Sequence, residues 1–152
     1  MTALTPLQIR AATLDDATAL AALSAQLGYA TTPEQLRQRL AWLQQHGEPV
    51  WLACVDGAIA GYLACQRYVT LYLAPGLNIT ALVVASTHQQ QGIGRRLLDH
   101  AADYARQHQL AFLRANSGAS RTAAHHFYRR VGFAHEKDQK HFMRDLTDSA
   151  AP

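Results

Sequence analysis

The eight residues from Gln89 to Arg96 (Gln-Gln-Gln-Gly-Ile-Gly-Arg-Arg) place two glycines one residue apart between amide side chains and two cations. They follow closely on an apolar run ending in Leu82, Val83 and Val84. Set between a strand and a helix, such a turn aims backbone N–H groups at one point. The first turn of a helix has donors without intrahelical acceptors and about half a positive charge from the macrodipole. Phosphate oxygens are stabilised there, and glycines let a ligand approach the main chain closely. The Lys and the Ser or Thr of a Walker A loop are missing, and Leu97 stands where a dinucleotide fingerprint has its third glycine, so nucleotide binding of those kinds is not expected. The same glycines also suit a tight strand-to-helix connection that holds nothing, and the turn alone leaves both readings open.

Charge agrees with an anion site in the second half of the chain. The net charge is +3, yet residues 1–85 carry 4 Arg against 5 acids, while residues 86–152 carry 10 Lys and Arg against 6 acids. No interleaving of basic and aromatic residues points to nucleic acid. No apolar run reaches the roughly 18 residues of a membrane span, and Met1 to Arg10 lacks a basic stretch followed by an apolar one, so a cytoplasmic, membrane-free protein is expected. Cys54 and Cys65 sit among apolar residues and read as buried thiols. His125 and His126 diverge by about 100° on a helix, and His100 and His108 are two turns apart, so no metal is expected.

The elements that must position the turn can be read in order. Leu7 to Ala12 forms a first strand; Thr13, with Asp16 three residues on, opens a helix through Leu20, Leu23 and Leu27 that ends at Gly28. Thr32, Pro33 and Gln35 start a second helix with Leu36, Leu40 and Leu43 on one face, stopped by Gly47 and Pro49. Val50 to Val55 and Ala58 to Tyr68 flank Asp56-Gly57 as a hairpin. Asn78 to Val84 is a strand, and a helix with Ile93, Leu97, Ala101 and Ala105 on its apolar stripe runs from about Gly92 to His108. Ala111 to Ala115 is a short strand, Ser120 caps a helix carrying Ala124, Phe127, Tyr128 and Val131, and Gly132 ends it. Phe133 to Glu136 and His141 to Leu146 close the fold as weak strands. Residues 1–146 are expected to form one domain and 147–152 a tail. The order indicates a mixed α/β sheet.

Gln89, Gly92 and Gly94 resemble the pyrophosphate-cradling motif of the GNAT family of acyltransferases. The segment from Ala124 through Phe127 and Tyr128 to Gly132-Phe133 resembles that family's second motif. The resemblance implies a mostly antiparallel central sheet flanked by helices, acetyl-CoA as co-substrate and a primary amine as acceptor. By it, Leu82, Val83 and Val84 pair with the pantetheine amides, and Gln89, Gln90, Gln91, Gly92, Ile93, Gly94 and Arg95 contact the pyrophosphate. Asn116, Ala124 and Phe127 complete the cofactor contacts, and Tyr128 protonates the departing thiolate. From the residues alone, Tyr128 reads as a buried helix residue that shares a face with Phe127 and Val131. Arg121 and Arg130 fall near the cofactor end as further partners for phosphate or as surface arginines. A homodimer stays open.

The resemblance departs from the family at one place. Many members carry an acid on the strand before the glycine turn as general base, and Thr80 and Ala81 occupy those positions here. Neither takes a proton at neutral pH. His88, Glu48 and His125 are the candidate substitutes, and the missing acid keeps a non-catalytic acyl-CoA sensor of the same fold as the alternative to an enzyme. The acceptor's identity is not readable from the sequence.

Overall fold

In the computed structural model, residues 6–147 are described. By their mutual contacts they fall into two compact units, residues up to Asn116 and residues from Ser117. The first unit is built on a five-stranded sheet in the order β1-β2-β3-β4-β5: β1 (Gln8–Ala11), β2 (Val50–Val55), β3 (Ala58–Tyr68), β4 (Gly76–Val84) and β5 (Leu113–Ala115). All pairings are antiparallel except β4 with β5. The expected mixed, mostly antiparallel sheet with flanking helices is therefore what forms.

Local chemistry sets the turns. Asp56 and Gly57 both adopt positive φ, 53° and 77°, the pair of left-handed residues that a two-residue hairpin with the right twist requires. The chain after β1 makes a 3₁₀ turn (Leu14–Asp16) before α1 (Ala17–Leu27), so the helix signalled at Thr13 begins one tight turn later than a simple cap implies. Asp16 holds that turn: its carboxylate accepts from the Thr13 N–H at 2.8 Å and receives both Arg10 guanidinium nitrogens at 2.9 Å. The buried carboxyl is pulled down to about 2, first by the hydrogen bond from Arg10, against the opposing cost of desolvation. Thr32 and Gln35 form the expected reciprocal cap of α2 (Pro33–Gln45), at 3.1 and 3.2 Å.

The two sheet faces are divided by strand alternation. Leu52, Tyr62 and Val83 pack with Leu20, Leu23 and Leu40 of α1 and α2. On the other face Trp51 meets His100 and Tyr104 of α3 (Ile93–Gln107) edge-on, and Leu97 is fully buried. Among the described residues no helix is long and apolar enough to cross a membrane.

The second unit contains α4 (Thr122–Arg130), ended by Gly132 at φ 102°. Two expectations fail here. The helix is capped by Arg121 rather than Ser120, without a side-chain cap bond. Phe133 to Glu136 and His141 to Leu146 are not strands; no partner strand pairs with either among the described residues, and a strand forms only where a ladder receives it. The rest of the expected tail, beyond Thr147, lies outside the described residues.

Candidate active site

The site is assembled at the C-terminal half of β4. β5 pairs with β4 only at Leu77, Asn78 and Ile79, so among the described residues no strand neighbours that edge of β4 from Thr80 onward. Across the other edge, the register with β3 shifts between Ala64 and Cys65, which leaves Thr80 as an extra residue in a bulge. The Ala85 N–H bonds the Ala60 carbonyl at 2.7 Å. By alternation the main-chain groups of Ala81 and Val83 face β3, and those of Leu82 and Val84 face the unpaired edge. Three residues read in the sequence as a pantetheine strand thus include two with N–H and C=O directed where an extended amide chain could pair.

The Val84 carbonyl on that edge is already engaged. Gln26 of α1 donates to it from Nε2 at 2.7 Å while its Oε1 accepts from the Ser86 N–H at 3.0 Å. Gln89 donates to the same carbonyl at 3.3 Å. Gln26 therefore ties down the end of β4 from a residue 58 positions earlier, and sequence reading missed it: one amide on a helix surface carries no signal of its own.

Beyond β4 the chain makes a 3₁₀ turn (Ser86–His88), then turns through Gln90 and Gly92, at φ 63° and 77°, into α3. The first intrahelical bond of α3 runs from the Arg96 N–H to the Gly92 carbonyl at 3.1 Å, so the N–H groups of Ile93, Gly94 and Arg95 have no acceptor within the helix. Gly92 provides no side-chain cap, and no acid lies in the first turn. A Cβ added at Gly92 meets nothing within 4 Å; the glycine is needed for its left-handed backbone rather than for clearance within the chain. Neither Arg95 nor Arg96 joins an ion pair among the described residues. An uncapped helix start, two free cations and an open strand edge in sequence fit a ligand that is anionic at one end and amide-bearing along its length.

Asn116 follows β5 and is exposed; its Oδ1 lies 3.5 Å from Arg114, whose other terminal nitrogen bonds Asn78 at 3.0 Å. In the second unit, Ala124, Phe127 and Tyr128 lie on α4. The Tyr128 ring makes edge contacts with Phe127 and Phe133, at 5.5 and 5.2 Å between centroids. Burial raises its phenol pKa, opposed by the charge of Arg121, so at neutral pH the hydroxyl holds its proton. Ser117 Oγ is buried without a partner among the described residues.

The groups considered as replacement bases are committed locally. The Thr80 hydroxyl donates to the Ala64 carbonyl at 3.1 Å, and Ala81 is apolar. Glu48 accepts from the Arg67 N–H at 2.9 Å, His88 Nδ1 lies 2.9 Å from the Thr87 hydroxyl, and His125 Nε2 lies 2.9 Å from the Gly118 carbonyl. Cys65 is buried and its thiol is pushed up to about 12 by desolvation first and Glu48 second, so it is no nucleophile. No group of three or more His, Cys, Asp or Glu residues able to hold a metal occurs among the described residues.

A model of the acetyltransferase (GNAT) family matches residues 15–133. The chain belongs to the GNAT family. It is an acetyl-CoA-dependent N-acyltransferase by that membership. The uncharacterised N-acetyltransferase YhdJ of Bacillus subtilis (strain 168) is 32% identical over 105 residues, covering 68% of this chain and 74% of that protein. Streptothricin acetyltransferase of Streptomyces lavendulae is 40% identical over 81 residues, 52% of this chain but only 40% of that protein's length. In fold, this GNAT chain matches the solved structure of aminoglycoside N-acetyltransferase AAC(6')-Iy in complex with CoA with a TM-score of 0.82, at 16% identity, over 94% of this chain and 97% of that one.

Proposed function

We propose that this GNAT enzyme moves an acetyl group from acetyl-CoA directly to a primary amine, with the co-substrate lying along the open edge of β4 and its pyrophosphate at the start of α3. The observation that carries this reading is the continuity of an unpaired strand edge at Leu82 and Val84 with the uncapped N–H groups of Ile93, Gly94 and Arg95. The main chain of Leu82 and Val84 pairs with the pantetheine amides, and Gln89 to Arg95 hold the pyrophosphate. Asn116, Ala124 and Phe127 are carried over from the family motif as further contacts. The outward main-chain donors of β4 also stabilise negative charge on the thioester oxygen as it develops.

The amine nitrogen bonds to the thioester carbonyl carbon, and the carbon–sulfur bond breaks with its electron pair on sulfur. The amine's proton leaves to water. Tyr128 gives its phenolic proton to the thiolate and regains one from water, so the products are the amide and coenzyme A. Support for Tyr128 comes from the match of its motif and from a pKa raised by burial, which keeps the phenol protonated and available as an acid. Residues 1–146 act as the catalytic domain in this reading.

Tyr128→Phe is the test, read by thiol release and by acetyl-CoA-dependent thermal stabilisation in parallel. Loss of one general acid lowers kcat by about 10²-fold or more, while the rise in melting temperature with acetyl-CoA persists. Unchanged kcat removes Tyr128 from the mechanism, and a wild-type protein that acetyl-CoA does not stabilise removes the cofactor assignment itself.

A further inference from the structure

A cavity of about 130 Å³ lies between α1, α2 and the sheet of the first unit. Leu20, Leu36, Leu43, Ala64 and Ala81 supply apolar wall, and Arg39 of α2 lines it while remaining exposed. Its size is close to that of engineered apolar cavities of about 150 Å³ that take up a benzene ring. Ala81 belongs to this wall and immediately precedes Leu82, whose main chain faces the open edge of β4, so the cavity adjoins the strand at which transfer is proposed.

Three observations restrict what can enter. No acid lines the cavity, and its charged wall residue, Arg39, has neither ion pair nor hydrogen bond among the described residues. A polyamine or aminoglycoside, with several ammonium groups, would find no compensating carboxylate there and one repelling cation. The wall also offers no group able to take a proton at neutral pH: the Tyr62 hydroxyl is hydrogen-bonded to Ser24 at 2.8 Å, and Ala81 has no titratable atom. An acceptor that sheds its own proton readily is therefore favoured, and peptide α-amines, with pKa about 7.7–8.0, do so far more readily than lysine-like amines at about 10.4.

We infer that the acceptor is a short peptide with a branched aliphatic or aromatic first side chain and a free carboxylate: the side chain fills the cavity and Arg39 meets the carboxylate. The inference rests on the proposed transfer at β4. An acyl chain of the donor could fill the same space, but it carries no anion for Arg39.

Thiol release from acetyl-CoA with leucylglycine, glycylglycine, leucylglycinamide and spermidine tests the assignment. The expected kcat/KM for leucylglycine exceeds that for glycylglycine by at least about tenfold, the range in which a hydrophobic pocket discriminates small side chains. Leucylglycine exceeds its amide by about two- to fivefold, as for an exposed ion pair, and Arg39→Gln removes that second preference alone. Ala64→Leu, which fills the cavity, abolishes the leucyl preference while acetyl-CoA still raises the melting temperature. The inference is overturned by a higher kcat/KM for spermidine, by equal values for leucyl and glycyl peptides, by faster reaction of hexanoyl-CoA than of acetyl-CoA, or by no turnover of any acceptor. Failure of acetyl-CoA to stabilise the wild-type fold is a different result, since it strikes the cofactor site and not the cavity.

Discussion

An amine that loses its proton without a side chain's help reacts at a rate set by its own basicity, and the arrangement around Ala81 makes that dependence measurable. The acceptor attacks only when neutral. For a peptide α-amine of pKa about 8, the neutral fraction is about 1% at pH 6, about 10% at pH 7 and about half at pH 8. With Ala81 apolar and the Thr80 hydroxyl donated to a carbonyl, kcat/KM should climb about tenfold from pH 6 to 7, about fivefold from pH 7 to 8, and level off near pH 9. For a lysine-like amine of pKa about 10.4, only about one molecule in 2,500 is neutral at pH 7. The same enzyme should then show a rise of about tenfold per unit through pH 9, with about 200-fold less reactive acceptor at pH 7. On the proposed mechanism the falling limb belongs to Tyr128, which must stay protonated; because burial raises its pKa above the ordinary value of 10.0, that limb lies above pH 10 and leaves the rise up to about pH 9 undistorted. The assay is thiol release under kcat/KM conditions with two acceptors of different basicity at constant ionic strength. An inflection at one pH for both acceptors refutes the reasoning, because only a titrating group on the enzyme behaves so.

Gln26→Leu removes both bonds from α1 to the end of β4, at 2.7 and 3.0 Å. At about 1 kcal/mol of net worth for such an exposed pair, the expected result is a rise of about fivefold in the acetyl-CoA dissociation constant by calorimetry, with kcat at saturation little changed. An unaltered dissociation constant shows that the brace does not set the strand's geometry. Asp16→Asn tests the turn before α1: the shift from 3.8 to about 2, at about 1.36 kcal/mol per pH unit, corresponds to about 2 kcal/mol. Because the folded state depresses this pKa, the contribution is complete above about pH 4 and is lost as pH falls from about 4 toward 2. Denaturant melts of the variant should therefore fall short of wild type by about 2 kcal/mol at pH 7 and converge with it near pH 2.

Features fixed by local chemistry were legible in the sequence. Asp56-Gly57, the Thr32–Gln35 cap and the left-handed Gly132 after α4 each follow from what a short segment can do by itself, and the structure has all three. The closing strands at Phe133 to Glu136 and His141 to Leu146 were not legible, because alternation over four to six residues states only that a strand could form if a partner edge were supplied. Gln26 was invisible for a related reason: its partners Val84 and Ser86 are 58 and 60 residues away, and a polar side chain on an amphipathic helix reads as solvated until the tertiary fold brings those partners near. Arg39 belongs with it, since its meaning depends on a cavity whose other walls come from four different elements.

Ala81 is one of the two positions that lack the family's acid, and it also lines the apolar cavity. Ala81 packs on the α1 and α2 face of β4 with Tyr62 and Val83, among leucines; a carboxylate there would supply a base and would at the same time place a charge in the cavity wall. Ala81→Glu should exchange one property for the other. Desolvation by Leu36 and Leu40 raises the introduced carboxyl, while Arg39 on the same cavity wall, exposed to solvent, opposes that rise; the carboxylate is then ionised and able to take a proton at pH 7, so turnover of a lysine-like amine should increase by about 100-fold, at the low end of what such a base contributes. The new side chain occupies the cavity, so the preference for leucylglycine over glycylglycine should vanish in the same variant, and the pH profile for both acceptors should acquire one shared inflection. A folded Ala81→Glu protein that still binds acetyl-CoA, yet gains no rate with the basic amine, would show that the proton leaves by a route that does not pass position 81.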